Sequence, residues 1–105
     1  MDLEYTKVDL QNATKRLGLN EQILKSLVKS FLESDMFIKA EEAFNKHDLE
    51  AAKIAIHSIK GTSINLGLVG MNKLAIDIET KIKEESYLDF DLLSLLKEVW
   101  KNIEI

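Results

Sequence analysis

The sequence predicts an all-α fold: an up-down antiparallel four-helix bundle with an additional short N-terminal helix. Three observations carry this. Apolar residues recur at steps of three and four over long stretches. Strand-like alternation of apolar and polar residues is sustained nowhere. Proline is absent, and glycines act as punctuation between the periodic stretches. Gly61 is the exception and is taken up below.

Taken in order, a first short helix is expected over about residues 8 to 17, with Leu10, Ala13 and Leu17 on one face and Gly18 as its stop. Asn20 then caps a long second helix, about 21 to 46, whose apolar side carries Leu24, Leu27, Phe31, Ile38 and Phe44. A bend is expected in its middle, between Glu33 and Met36. Asp48 is the N-cap of a third helix, about 49 to 66, closed by Gly67. Its buried stripe is Leu49, Ala52, Ile56, Ile59, Ser63 and Leu66. Leu68 to Gly70 form a tight reversal. A fourth helix, about 71 to 84, repeats Met71, Leu74, Ile78 and Ile82 and should pack antiparallel to the third. Ser86 to Phe90 connect to a last helix, about 91 to 103, with Leu92, Leu95, Leu96, Val99 and Ile103 toward the core.

The chain of 105 residues is the size of one ordinary domain, so residues 1–105 are read as a single unit without repeats or linkers. Hydrophobic residues make up 46% and charged residues 30%, a balance that supports a packed core rather than disorder. No cysteine is present, which excludes disulfides and thiolate metal sites and fits a cytoplasmic location. The net charge is −4 with both signs interspersed, so no basic tract exists to neutralise nucleic acid. Met1-Asp2-Leu3-Glu4-Tyr5 lacks the charged-then-apolar order of a signal peptide, and no apolar run has membrane-spanning length. A soluble domain is expected.

Within the third helix the run His57-Ser58-Ile59-Lys60-Gly61-Thr62-Ser63-Ile64-Asn65-Leu66-Gly67 stands apart. At about 100° per residue, His57 points roughly 130° away from the buried stripe, and Lys60 and Gly61 share its side. Glycine inside a helix costs about 1 kcal/mol relative to alanine. At Gly61, one turn past a solvent-facing imidazole, the missing side chain lets another molecule's backbone approach. Ile54 and Ile64 lie on the same outer side, where a solvated helix would carry polar groups, and suggest an apolar contact patch. Leu68, just beyond the helix, completes the candidate docking set. Ser63 is assigned to helix packing, and His47, in Lys46-His47-Asp48, to a solvated turn.

This pattern resembles the histidine-containing phosphotransfer (HPt) domains, whose signature runs His, two residues, Lys, Gly, two small residues, then a helix-ending glycine. Arg16-Leu17-Gly18, Phe31, and Asp48 nine residues before His57 also sit where family members place such residues. The resemblance implies that His57 is a phosphoacceptor in a two-component phosphorelay, exchanging phosphoryl groups with response-regulator receiver domains or a histidine kinase, and that Lys60 interacts with phosphoryl oxygens. The helices on either side of Gly67 run antiparallel, which pairs His57 with Glu79. Many family members carry Glu or Gln at that place. A carboxylate accepting from Nδ1–H would fix the tautomer and leave Nε2 as nucleophile. No clustered carboxylates or E-x-x-H pair suggest a resident metal, so the resemblance leaves Mg²⁺ to the receiver. No phosphate-binding loop is present to make the chain its own kinase. A monomer is expected. The alternative is a non-catalytic helical interaction module; a helical metalloenzyme is disfavoured by two histidines without E-x-x-H.

Overall fold

The computed structural model describes residues 3–105. A 3₁₀ turn, Leu3–Thr6, leads into six α-helices: α1 (Leu10–Leu17), α2 (Glu21–Glu33), α3 (Met36–Asn45), α4 (Leu49–Asn65), α5 (Val69–Glu85) and α6 (Phe90–Asn102). No strand occurs among the described residues, so the all-helical prediction holds. The reading of Met1 and Asp2 as lacking a leader lies outside the described residues. Among those described, no helix is long and apolar enough to cross a membrane.

Four helix starts are set by side chains that satisfy otherwise unpaired backbone N–H groups. Asp9 accepts from Asn12 N, Asn20 from Ile23 N, Asp48 from Ala51 N and Asp89 from Leu92 N, at 2.8 to 3.1 Å. Asn20 and Asp48 cap as their sequence positions predict. Asp9 starts α1 two residues later than expected, and Asp89 draws Phe90 out of the connector into α6.

The long second helix is two helices. At Ser34 the backbone turns extended (φ −72°, ψ 170°), and its hydroxyl donates to the Phe31 carbonyl at 2.6 Å. A serine side chain that bonds the nearby backbone competes with the helical ladder, and here it ends α2. The break resets the helical phase. Val28, Phe37, Ala40 and Ala43 are buried, whereas Leu27 and Ile38, placed on the core side of one continuous helix, are exposed. Leu24, Phe31 and Phe44 are buried as expected. Trp100 of α6 joins the parts: its ring lies 4.6 Å from Phe31 and 5.7 Å from Phe37, and its Nε1–H donates to the Leu32 carbonyl at 2.9 Å.

Helices α3, α4, α5 and α6 pack each on the next, with α6 returning to α3, and α1 packs on α2. Ile56 and Ile59 of α4 meet a core shared with Leu74 and Ile78 of α5 and Leu96 and Val99 of α6. All four predicted apolar positions of α5 are buried. Leu49 and Leu17, each at a helix end, are exposed instead, and in α6 Leu93 is buried with Leu96 and Val99 while Leu92, Leu95 and Ile103 are half-buried against the core.

The reversal between α4 and α5 falls at Leu66–Leu68, and α5 begins at Val69 rather than 71. Gly67 adopts φ +80°, and Leu68 N donates to the Ser63 carbonyl at 2.8 Å. The amino-terminal segment crosses this corner. Asp9 N donates to the Gly67 carbonyl at 2.7 Å, and Gly70 N to the Lys7 carbonyl at 3.1 Å. A Cβ on Gly70 would collide with the backbone of Glu4 and Tyr5, which is why a glycine sits inside the first turn of α5.

A Cβ at Gly67 would lie 2.6 Å from the Asp9 carbonyl oxygen, at a φ that L side chains rarely adopt. Gly67→Ala should therefore destabilise the protein by about 1–3 kcal/mol. Denaturant melts of the two proteins check this, and an unchanged midpoint would count against the corner as a structural constraint.

Candidate functional site

Helices α4 and α5 form an antiparallel hairpin in which partners diverge symmetrically from Gly67. The Leu68 amide meets Ser63, the Asn72 side chain donates to the Lys60 carbonyl at 2.9 Å, and Glu79 meets His57. The Lys60 carbonyl also accepts from Ser63 Oγ at 3.0 Å, so the backbone beside His57 is pinned from two sides.

His57 Nδ1 lies 2.8 Å from Glu79 Oε2. The imidazole side chain is 64% exposed, while that of Glu79 is 6% exposed. A carboxylate removed from water needs charged or hydrogen-bonding partners on both oxygens. Glu79 has them: Oε1 accepts from Lys60 Nζ at 2.6 Å, and Lys83 Nζ stands 3.5 Å from the same oxygen. Burial pushes the Glu79 carboxyl up, but hydrogen bonds from Lys60 and His57 and the charges of Lys60 and Lys83 outweigh it, leaving the group below its ordinary value of 4.5. An ionised carboxylate can only accept, so the nitrogen facing it, Nδ1, carries a proton, and Nε2 is the ring nitrogen turned away from Glu79. Chemically, the arrangement is an exposed imidazole held through Nδ1 from behind, a geometry that would suit Nε2 to act as a nucleophile.

The sequence-predicted residues fall into three groups. His57, Lys60 and Glu79 come together, with the Lys60 ammonium directed to Glu79. Gly61, Ile54 and Ile64 are exposed on the outer side of α4, and nothing lies within 4 Å of where a Gly61 Cβ would be. Leu68 is a correction. It is 0% exposed, packed in the core at the α4–α5 corner, and has no surface to offer a partner. Its position after the helix-ending glycine turns it inward. Ser63 is buried, as assigned. His47 lies exposed in the turn between α3 and α4 with φ +53°, its ring 6.0 Å from that of Phe90.

Two residues that pair with Glu79 or bond to the Lys60 backbone are not singled out by the sequence. Lys83 lies one turn after Glu79 and becomes a candidate as soon as Glu79 is placed. Asn72 had no local signal, because its role depends on the facing helix. Lys53, Ile54, Ser58, Glu79 and Lys83 line a shallow hollow with His57. Ile54 and Ser58 also border an adjoining groove between α3 and α4, with Met36, Lys39, Ala51 and Ala55. Among the described residues, no three His, Cys, Asp or Glu side chains gather as a metal-binding group.

The family described as Hpt domain matches residues 10–104, nearly the whole chain. No curated protein and no solved structure matches.

Two expectations follow from this geometry. Because the Glu79 carboxyl is lowered by folding, the stability it contributes is fully present above its unfolded value near 4.5 and is lost as pH falls through the lower folded value. Glu79→Gln should be less stable than wild type at pH 7, with the difference shrinking below about pH 4.5. Asp89, whose carboxyl is also lowered, is common to both proteins and cancels. Parallel urea melts at several pH values test this; a constant difference would contradict it. Gly61→Ala should raise stability by up to about 1 kcal/mol, since the helix gains propensity and the methyl meets open space. A lower melting temperature would show a constraint at Gly61 that the free chain does not reveal.

Proposed function

Because the chain belongs to the Hpt domain family, we propose that it is a phosphoryl carrier of a two-component phosphorelay, with His57 as phosphoacceptor. Hpt domains act in histidine phosphotransfer and interact with receiver domains and kinases. The observation that carries the proposal is the exposed His57 imidazole with Nδ1 held at 2.8 Å by a nearly buried carboxylate. The whole chain, 1–105, is taken as one such domain, with α3 to α6 as an up-down antiparallel bundle and α1 and α2 as amino-terminal additions.

In the proposed transfer, the Nε2 lone pair attacks the phosphorus of a receiver's phosphoaspartate in line. The P–O bond to the aspartyl carboxylate breaks, and its electron pair leaves with that carboxylate. The ring becomes a phosphoimidazolium that keeps its Nδ1–H on Glu79, whose negative charge offsets the new positive charge. The reverse step returns the group to a receiver. Lys60 fixes Glu79 and thereby the ring. Positioning and charge dominate such transfers, which pass through a loose transition state. Mg²⁺ belongs to the receiver in this scheme. Docking uses Ile54, Gly61 and Ile64, because a net charge of −4 gives no long-range attraction to an acidic receiver pocket. We place the protein in the cytoplasm as a monomer, exchanging with receivers and a histidine kinase.

The exposed groove between α3 and α4 would also suit a non-catalytic helical interaction module, and label uptake separates the two readings. Incubation with phosphorylated receiver domains should label wild type, whereas His57→Gln should take up no label while remaining folded, since Lys60 still holds Glu79 and the Gln amide can donate to the other carboxylate oxygen. Label on that variant, or label at His47, would refute the assignment. Gly61→Gln should remain folded yet lose transfer by about tenfold or more, because its side chain occupies the approach to Nε2. A Gln variant as fast as wild type would move the docking surface elsewhere.

A further inference from the structure

We propose that Lys83, rather than Lys60, is the side chain that contacts the phosphoryl oxygens once His57 is phosphorylated, an assignment that rests on the phosphoacceptor role given to His57 above. The hollow containing the imidazole is lined by Lys53 and Lys83 among the cations, and Lys60 is absent from its lining. Lys60 is also committed elsewhere. Its ammonium sits 2.6 Å from Glu79 Oε1, and its side chain is 28% exposed. Withdrawing it would strip a nearly buried carboxylate of its short partner, which is costly.

Lys83 stands 3.5 Å from the same oxygen, beyond the usual length of a charge-assisted hydrogen bond, and is 50% exposed. Its departure leaves Oε1 still bonded to Lys60 and Oε2 still bonded to His57, so little is lost. Lys53, the other cation of the hollow, is paired at 3.3 Å with Glu50 on its own helix. A phosphoryl group adds about two negative charges beside Glu79. Glu79 cannot relieve the repulsion by taking a proton at neutral pH, because its carboxyl is lowered. A loosely held cation already bridging toward the site is the available countercharge. Lys60 then positions the ring through Glu79, and Lys83 moves from Glu79 to the phosphoryl oxygens.

Phosphoramidate tests this without any partner protein. Nε2 attacks its phosphorus, the P–N bond breaks, and ammonia leaves with the electron pair, giving the phosphoimidazolium with Nδ1–H retained. A His47→Asn background removes the second histidine, and Asn tolerates the positive φ there. The ³¹P resonance of phospho-His57 is followed against pH, together with the lifetime of the label at neutral pH. A cation on the phosphoryl oxygens lowers the pH midpoint of that resonance and holds the dianion against loss. Lys83→Ala should raise the midpoint and shorten the lifetime about three- to fivefold, with Lys83→Arg restoring both. Lys60→Ala should slow uptake and leave the midpoint near wild type. A midpoint moved by Lys60→Ala and untouched by Lys83→Ala, or moved equally by both, would overturn the assignment. Chemical labelling with the Lys83 effect, but without transfer from any receiver, would sink the phosphorelay reading and leave the Lys83 contact standing.

Discussion

The organisation of this molecule turns on one nearly buried carboxylate. Glu79 lies between two helices with its oxygens divided between an imidazole and two ammonium groups. An isolated charge at that depth would cost several kcal/mol, so the carboxylate is tolerated only while α4 presents His57 and Lys60 to it at hydrogen-bond distance. Any slip between the helices separates those groups. Helix register and the geometry of the His57 imidazole are thus one constraint seen from two sides.

That register is held at the far end of the hairpin. Gly67 makes the reversal, its carbonyl accepts from Asp9, and Arg16 donates to the Ile64 carbonyl at 3.0 Å, so the amino-terminal segment closes over the end of α4. Asn72 and Ser63 both bond the Lys60 carbonyl, halfway between the corner and Glu79. The chain from Gly67 to His57 is consequently tied at three levels. Among the described residues, no buried side-chain nitrogen or oxygen lacks a partner, as expected where polar groups are carried into a helical interface.

The outer face of α4 follows a different logic. Gly61, Ile54 and Ile64 are not needed by the core, and the free chain gains nothing from a glycine in mid-helix with open space around it. Such a position is explained by something that approaches from outside. The proposed receiver contact supplies it, and the two cations of the imidazole hollow supply local positive charge on a chain whose total is negative.

Periodicity alone determined the helical class, the buried stripe of α5 and most of that of α4, because a 3.6-residue repeat reports which side faces the core whatever the core contains. Asn20, Asp48, Gly18 and Gly67 were legible as boundaries, since capping and positive φ are local chemistry. His57, Lys60 and Gly61 could be read from spacing on one helix face, and Glu79 from the symmetry of a hairpin about Gly67. Tertiary structure decided the rest. The hydroxyl of Ser34 split one predicted helix into two, and Ile38 beyond the break faces outward, a competition between side chain and backbone that periodicity does not register. Leu27 is exposed because the buried side of α2 runs through Leu24, Val28 and Phe31. Gly70 entered α5 because the 3₁₀ turn passes against it, and Leu68 went into the core rather than to the docking face because the corner closes over it. Asn72 and Lys83 acquired their partners only when α4 and α5 met at one depth. Sequence spacing assigns residues to a face; the distance between faces is set by packing.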